Sequence, residues 1–452
     1  MAIRWTTLVI CLAAAGCATY RPHPLVADAG LQRPDLAEAA GLAPAKHPRL
    51  PAAALNLDQP LAELDVARLA LLLNPDLRAQ RRQVGVADAQ LFAAGLLPDP
   101  QLSLSLDVPD TAGLVKALGA GLGLDLGSLL AQPAARQASR HASEKVRLDV
   151  AWSEWLAINQ VRTLCRRIHF LEQQVDISRQ AETATAALYA LSAENKRRGD
   201  ARLDETTLYQ VGHLDAENRY LSLKRDLRQA RLQLNAMLGL APAAALRLAP
   251  PPPADNSPPD IAQLMRDAIV QRLDLQALRE GYLSQESELR RAVTASIPLP
   301  QLSGNRARDP GAVWTHGIGI GISLPLWNRG RGPIRIAEAS REQLAAEYEA
   351  RVYQASMDIA GAVSDLEAIE AQRSALALEL PSLASSADVL GKAARNGDVP
   401  LLTYESVRAA LLDKRLILST LEQALAEGEV ALDSAVGRLP GVESPPIGEN
   451  SR

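Results

Sequence analysis

Aromatic side chains are scarce in this 452-residue chain, at 3%. So little aromatic surface argues against a globular enzyme built round a large packed core. Cysteine occurs only as Cys11, Cys17 and Cys165. Three thiols without metal spacing exclude a disulfide framework and a zinc site. The histidines, His23, His47, His141, His169, His213 and His316, are scattered, and none pairs at ligand spacing. There is no Walker motif, no H-E-x-x-H and no G-x-S-x-G. Gly317-x-Gly319-x-Gly321 is not a dinucleotide fingerprint, because the isoleucines between its glycines make a strand. The net charge of −4 carries no basic footprint for nucleic acid. No catalytic residue, cofactor site or metal site is assigned.

Alanine and leucine are abundant, as long helices require. The start of the chain has Arg4 followed by a short apolar run, Leu8 to Ala15. It is too short to span a bilayer and is expected to be a cleaved export signal over residues 1–16. Ala15-Gly16-Cys17 resembles a bacterial lipoprotein box. On that resemblance Cys17 becomes the lipidated first residue of the mature chain, and Ala18 after it favours sorting to the outer membrane. An ordinary signal peptide with an accidental cysteine is the alternative. Residues 17–60, rich in proline, form an extended arm.

Trp314 to Leu326 alternates strictly. Ile318, Ile320, Ile322 and Leu324 fall on one face of an extended strand, and Gly317, Gly319, Gly321 and Ser323 on the other. A charged, glycine-rich corner, Asn328 to Gly332, then leads through Pro333 into a helical run of more than sixty residues. The same join appears near Gly119–Leu126 and Pro133, 198 to 200 positions earlier. Other anchors recur at that offset: Pro98-Asp99-Pro100-Gln101-Leu102 with Pro298-Leu299-Pro300-Gln301-Leu302, Gly199-Asp200 with Gly397-Asp398, and Gly239 with Gly437. The chain is an internal duplication of helix, β-hairpin, long helix and return helix. Repeat 1 covers 61–249, with strands about 101–108 and 118–127. A proline-rich linker covers 250–260. Repeat 2 covers 261–438, with strands about 299–306 and 314–326, and 439–452 is a tail. The first long helix is expected from about Pro133 to Arg198. Ala151, Trp155, Ile158, Val161, Cys165, Ile168, Leu171 and Val175 form its seam.

Four strands of bilayer-crossing length cannot close a barrel alone, because open sheet edges are not tolerated in lipid. Two chains would offer eight strands and three would offer twelve, and counting does not choose. A soluble sandwich with one buried face is the alternative for the sheet. A structural periplasmic coiled-coil lipoprotein without channel activity is the alternative for the whole chain.

The doubled Pro-x-Pro-Gln-Leu, the Ser323-Leu324-Pro325-Leu326-Trp327-Asn328-Arg329-Gly330-Arg331-Gly332 corner, the two Gly-Asp tips and the lipoprotein start resemble the TolC-like outer-membrane efflux proteins. The resemblance implies a mainly α fold with a membrane β-barrel contribution. Four strands per chain would join a shared, trimeric twelve-stranded barrel in the outer membrane of a Gram-negative bacterium, above a periplasmic α-helical tunnel. It implies a passive efflux duct, with a periplasmic adaptor and an inner-membrane pump as partners. Leu118, Leu122, Leu124, Ile318, Ile320, Ile322 and Leu324 are expected to face lipid. Gln101, Ser103, Ser105, Asp125 and Ser323 are expected to face the lumen. Arg198, Gly199, Asp200, Asn396, Gly397 and Asp398 are expected at tips that meet the adaptor and line the entrance. Asp200, Asp398 and Asp388 could place acidic groups there. Arg306 and Arg308 must reach either an interface or the lumen.

Overall fold

Two helices of unusual length set the shape of the chain, and a small sheet caps one end of them. The computed structural model describes residues 20–25, 47–51, 53, 56, 58–111, 113–199, 203–253 and 260–439. The expected signal, Cys17, Asp200 and the expected tail beyond Leu439 lie outside the described residues.

In repeat 1, α1 (Glu63–Leu73) and α2 (Pro75–Gly95) are followed by β1 (Gln101–Asp107) and β2 (Ala117–Asp125). Then come α3 (Leu126–Arg198) and α4 (Leu203–Met237). In repeat 2, α5 (Ile261–Gln271), α6 (Leu273–Ala295), β3 (Pro300–Arg308), β4 (Trp314–Ile322), α7 (Arg331–Asn396) and α8 (Leu401–Val436) follow the same order. At 73 residues, α3 is about 110 Å long at ~1.5 Å per residue. Among the described residues no helix is long and apolar enough to cross a membrane.

Several boundaries differ from the sequence reading, among them the end of β2, at Asp125 rather than about 127. The first long helix begins at Leu126, not Pro133, because Asp125 caps it: its carboxylate accepts the Gly127 N–H at 2.9 Å. Pro133 lies inside the helix. The helical stretch from Ile261 is broken at Arg272, whose extended backbone separates α5 from α6. β3 runs on to Arg308, two residues past its expected end. β4 stops at Ile322 rather than Leu326. Its last partner is Pro300, and Pro298 and Pro325 have no N–H to extend the ladder.

The strands form one antiparallel sheet in the order β1-β2-β3-β4. Helix α3 is the hub, packing against α1, α2, α4, α6 and α8, while α7 packs against α5, α6 and α8. The seam holds as read, with Ala151, Trp155, Ile158, Val161, Cys165, Ile168 and Leu171 buried and Val175 half-buried. These residues and α1 make the main core, and a smaller core gathers Leu264, Ile359, Val363 and Val436. Burial and the nearby Glu63 carboxylate push the Cys165 thiol up to about 12, so it is an inert packing residue.

Candidate membrane-facing sheet and helix tips

Strand register decides which side chains share a face, since residues directly opposite in an antiparallel pair point the same way. Leu102 lies opposite Leu122, Leu124 opposite Leu302, and Leu302 opposite Ile320. Away from the hairpin-turn end, one side of the sheet is therefore a continuous aliphatic surface. It is not covered by the chain's own helices, for Leu104 is 75% and Ile318 is 89% exposed. A soluble sandwich would bury this face, so that alternative is ruled out for the single chain.

The opposite face is small and polar. Gln101 lies opposite Gly123, Gly123 opposite Ser303, and Ser303 opposite Gly319. Ser103 lies opposite Gly121, which faces Asn305. The glycines make room for these neighbours: a Cβ at Gly119, Gly121, Gly317 or Gly319 would collide with Ser105, Ser103, Asn305 or Ser303. Ser103 and Ser303 hydroxyls donate across the strands to the Gly121 and Gly319 carbonyls at 3.4 and 3.3 Å. Small residues on one side and large ones on the other let a sheet curl with the small side inward.

The structure places Gln101, Ser103, Ser105 and Asp125 on the small face, and Leu122, Leu124, Ile318, Ile320 and Ile322 on the aliphatic face. Ser323 and Leu324 lie past the end of β4, so strand alternation does not assign their sides. Asp125 has a second task as the cap of α3, and its carboxylate also accepts the Ser128 hydroxyl.

At the other end of the helices, Gly199 and Gly397 adopt left-handed backbones, φ 85° and 83°. Their N–H groups donate to the Lys196 and Ala394 carbonyls at 3.0 and 3.2 Å. Asp398 N–H returns to Ala393 at 3.0 Å, completing a Schellman-type stop. Arg198 binds Glu194 at 2.9 Å, and Asn396, Gly397 and Asp398 are exposed. Asp388 lies 2.8 Å from Lys392, which lowers its pKa and neutralises it locally.

Sequence reasoning missed the ion network that locks α3 to both repeats. Arg162 is wholly buried and binds Glu63 of α1 at 3.0 Å and Asp433 of α8 at 3.1 Å. Arg166 binds Glu63 at 2.8 Å and Glu429 at 2.7 Å. Two arginines at four-residue spacing within the apolar seam were the available signal. Among the described residues no group of His, Cys, Asp and Glu could hold a metal ion.

The sequence profile of the outer membrane efflux proteins matches residues 264–438, which carry β3, β4 and their helices. This part of the chain, most of repeat 2, is similar to that family. The fold of the chain is similar to that of the outer-membrane channel OprN, with a TM-score of 0.70 at 18% identity, covering 93% of this chain and 98% of that one. It is also similar to the CmeC outer membrane channel of Campylobacter jejuni, with a TM-score of 0.70 at 17% identity, over 84% and 87% of the two chains. VceC of Vibrio cholerae, an outer membrane protein, has a TM-score of 0.68 at 17% identity, over 83% and 96%. These likenesses concern the fold and extend over both repeats. Compared by sequence with curated proteins, the chain matches none.

Proposed function

We propose that this chain works as the homotrimeric, passive duct of an outer-membrane efflux system, three copies joining β4 of one to β1 of the next in a twelve-stranded barrel. The observation that carries this reading is an exposed aliphatic sheet face with two open edges, β1 and β4. In lipid, every backbone polar group needs a partner, so the edges must be closed by another copy. Up-down alternation makes β4 antiparallel to the next β1, and a head-to-tail contact of this kind closes into a ring.

The helices support the same assembly. Helix α6 packs against both long helices, α3 and α7, while its equivalent α2 packs against α3 within the chain. Val86 and Phe92 on α2 and Ile336 and Tyr353 on α7 are exposed apolar surface. Seating α2 on the α7 of a neighbour would cover both sets and give α2 the two partners α6 already has.

In this assembly Leu122, Leu124, Ile318, Ile320 and Ile322 face lipid, and Gln101, Ser103, Ser105 and Asp125 line the lumen. The tips at Arg198, Gly199, Asp200, Asn396, Gly397 and Asp398 meet a periplasmic adaptor, through which an inner-membrane pump supplies the energy. Cys17 carries the lipid anchor. Asp398, threefold repeated, makes an acidic entrance that favours cations.

The test is native mass spectrometry of the purified, lipidated protein followed by single-channel recording in planar bilayers. Stable trimers with discrete current steps are expected, and Asp398→Ala should lower cation selectivity. Soluble monomers that never conduct would remove the duct and leave a structural lipoprotein.

A further inference from the structure

The register answers a question that alternation along β3 leaves open. Arg306 lies opposite Ala120 on one side and His316 on the other, and Arg308 lies opposite Leu118 and Trp314. Both arginines therefore belong to the aliphatic face, with Leu122, Leu302 and Ile320, and not to the small face that would line a lumen. Aligned by Pro-x-Pro-Gln-Leu, repeat 1 has Leu106 and Val108 where repeat 2 has these two arginines.

Their surroundings are unusual for surface arginines. No Asp or Glu falls on this face in any of the four strands: Asp107 and Asp125 are both on the other side. Among the described residues neither guanidinium has a carboxylate partner. Arg306 instead stands over the Trp314 ring, 4.7 Å from its centroid. The Arg308 Nε is shielded from solvent without a hydrogen-bond partner. The pair sits at the turn end of the hairpin, where β3 ends and β4 begins, and the helices leave from the opposite end of the sheet. If the helices stand in the periplasm, this end lies at the outer leaflet.

We propose that Arg306 and Arg308, backed by Trp314, hold the phosphate of a phosphorylated outer-leaflet glycolipid against the outside of the barrel. This rests on the reading of the aliphatic face as lipid-facing. A planar guanidinium matches phosphate oxygens in bidentate fashion. Tryptophan settles at headgroup depth, with its body in the apolar layer and its N–H toward water. A cation on a lipid-facing strand is tolerated near the interface and not at the bilayer midplane. The aliphatic residues below would pack on the acyl chains, so one patch meets both parts of such a lipid. A free phosphate ion would use only the arginines.

The test is lipid retention by native mass spectrometry, using detergent-purified trimer incubated with bisphosphorylated lipid A or with the same lipid stripped of its phosphates. Wild-type protein should retain the bisphosphorylated lipid at least tenfold better than the stripped one. Arg306→Gln/Arg308→Gln should lose that preference, while Arg225→Gln on α4 keeps it. Millimolar inorganic phosphate should not displace the lipid. Arg306→Lys/Arg308→Lys should retain an intermediate amount, having charge without the fork. Equal retention of both lipids by the wild type overturns the proposal, as does undiminished preference in the double glutamine variant. Displacement by inorganic phosphate overturns the lipid as the ligand. If the double variant does not assemble, the two-lipid comparison on wild type still decides. Conductance of the same samples separates the premises: wild-type trimers that conduct but show no phosphate preference sink this site alone, and a wild type that neither trimerises nor conducts sinks the membrane reading with it.

Discussion

Asn74 and Arg272 stand 198 residues apart, at the same break in the two repeats, and do one job with different chemistry. Asn74 caps α2 by accepting the Asp76 and Leu77 N–H groups at 2.8 and 3.0 Å, and its amide donates to the Met237 carbonyl at 2.8 Å. Arg272 donates to the Ala435 carbonyl at 3.1 Å, grips Asp274 through two bonds and lies over the Trp152 ring at 5.0 Å. Met237 and Ala435 are also 198 residues apart. Duplication preserved the joint, the return helix tied back to the break, while the side chain making it changed.

The surroundings of the two long helices differ more. Helix α3 buries Trp155, Ile158, Val161 and Arg162, whereas α7 buries chiefly small residues such as Ala337 and Ala355 and leaves Tyr353, Met357 and Leu378 exposed. The asymmetry comes from position in the chain. α3 packs on elements of both repeats, whereas among the described residues α7 packs chiefly on α5, α6 and α8 of its own repeat. The two helices would become equivalent only in a closed ring.

Removing the ion network should have the largest effect on that comparison. Arg162→Ala leaves the Asp433 carboxylate without its buried partner and Glu63 with Arg166 alone, and a loss of about 3–5 kcal/mol is expected in denaturant unfolding. Among the described residues Arg373 on α7 forms its ion pair with Glu370, one turn away on the surface. Its alanine variant should lose about 1 kcal/mol or less, and a comparable loss at both sites would contradict the hub role of α3. Ring closure is tested by Tyr353→Asp. It should fold as a monomer yet lower the trimer fraction about tenfold or more in native mass spectrometry, because a buried unpaired carboxylate opposes the interface. An unaffected trimer would mean that α7 is not the seam.

The return-helix stops offer a finer contrast. Gly239 and Gly437 both have left-handed backbones, φ 63° and 82°. Alanine there should cost about 1–2 kcal/mol in either repeat. Gly239→Ala should be the worse, since its Cβ would lie 2.9 Å from the Leu73 carbonyl oxygen, against 3.3 Å for the nearest atom at Gly437. Equal losses in thermal unfolding would show that backbone conformation alone sets the requirement.

Acid should act first on repeat 1 and its arm. Burial lowers His47 from 6.5 to about 4, against the hydrogen bond to the Ala151 carbonyl, so the folded chain refuses a proton that the unfolded chain accepts. Stability should fall as pH drops from about 6.5 to about 4. Burial alone would raise Glu63, but Arg166 and Arg162 outweigh it and hold its pKa below 4.5. Its contribution is present above 4.5 and is lost as pH falls through the lowered value, adding to the decline. Melting midpoints from pH 7.5 to 3.5 check this, and His47→Gln should flatten the upper part of the curve.

Much of this was legible locally. The alternation of Ile318, Ile320 and Ile322, the glycine stops at 199, 239, 397 and 437, and the seam from Ala151 to Leu171 follow from backbone sterics and side-chain periods that act within a few residues. Boundary errors arose where a partner mattered. Asp125 starts α3 early by capping it, and β4 ends at Ile322 because the prolines near its neighbour cannot continue the ladder.

The sequence by itself determined the duplication, the element order, the two-faced strands and the family resemblance, because each is written in spacing along the chain. Tertiary structure alone decided that Arg306 and Arg308 stand on the aliphatic face, since that depends on pairing with Ala120, Leu118, His316 and Trp314. It alone brought Arg162 to Glu63 and Asp433, 99 and 271 residues away. No local rule reaches across such separations, because the contact forms only when packing of the intervening elements carries the partners together.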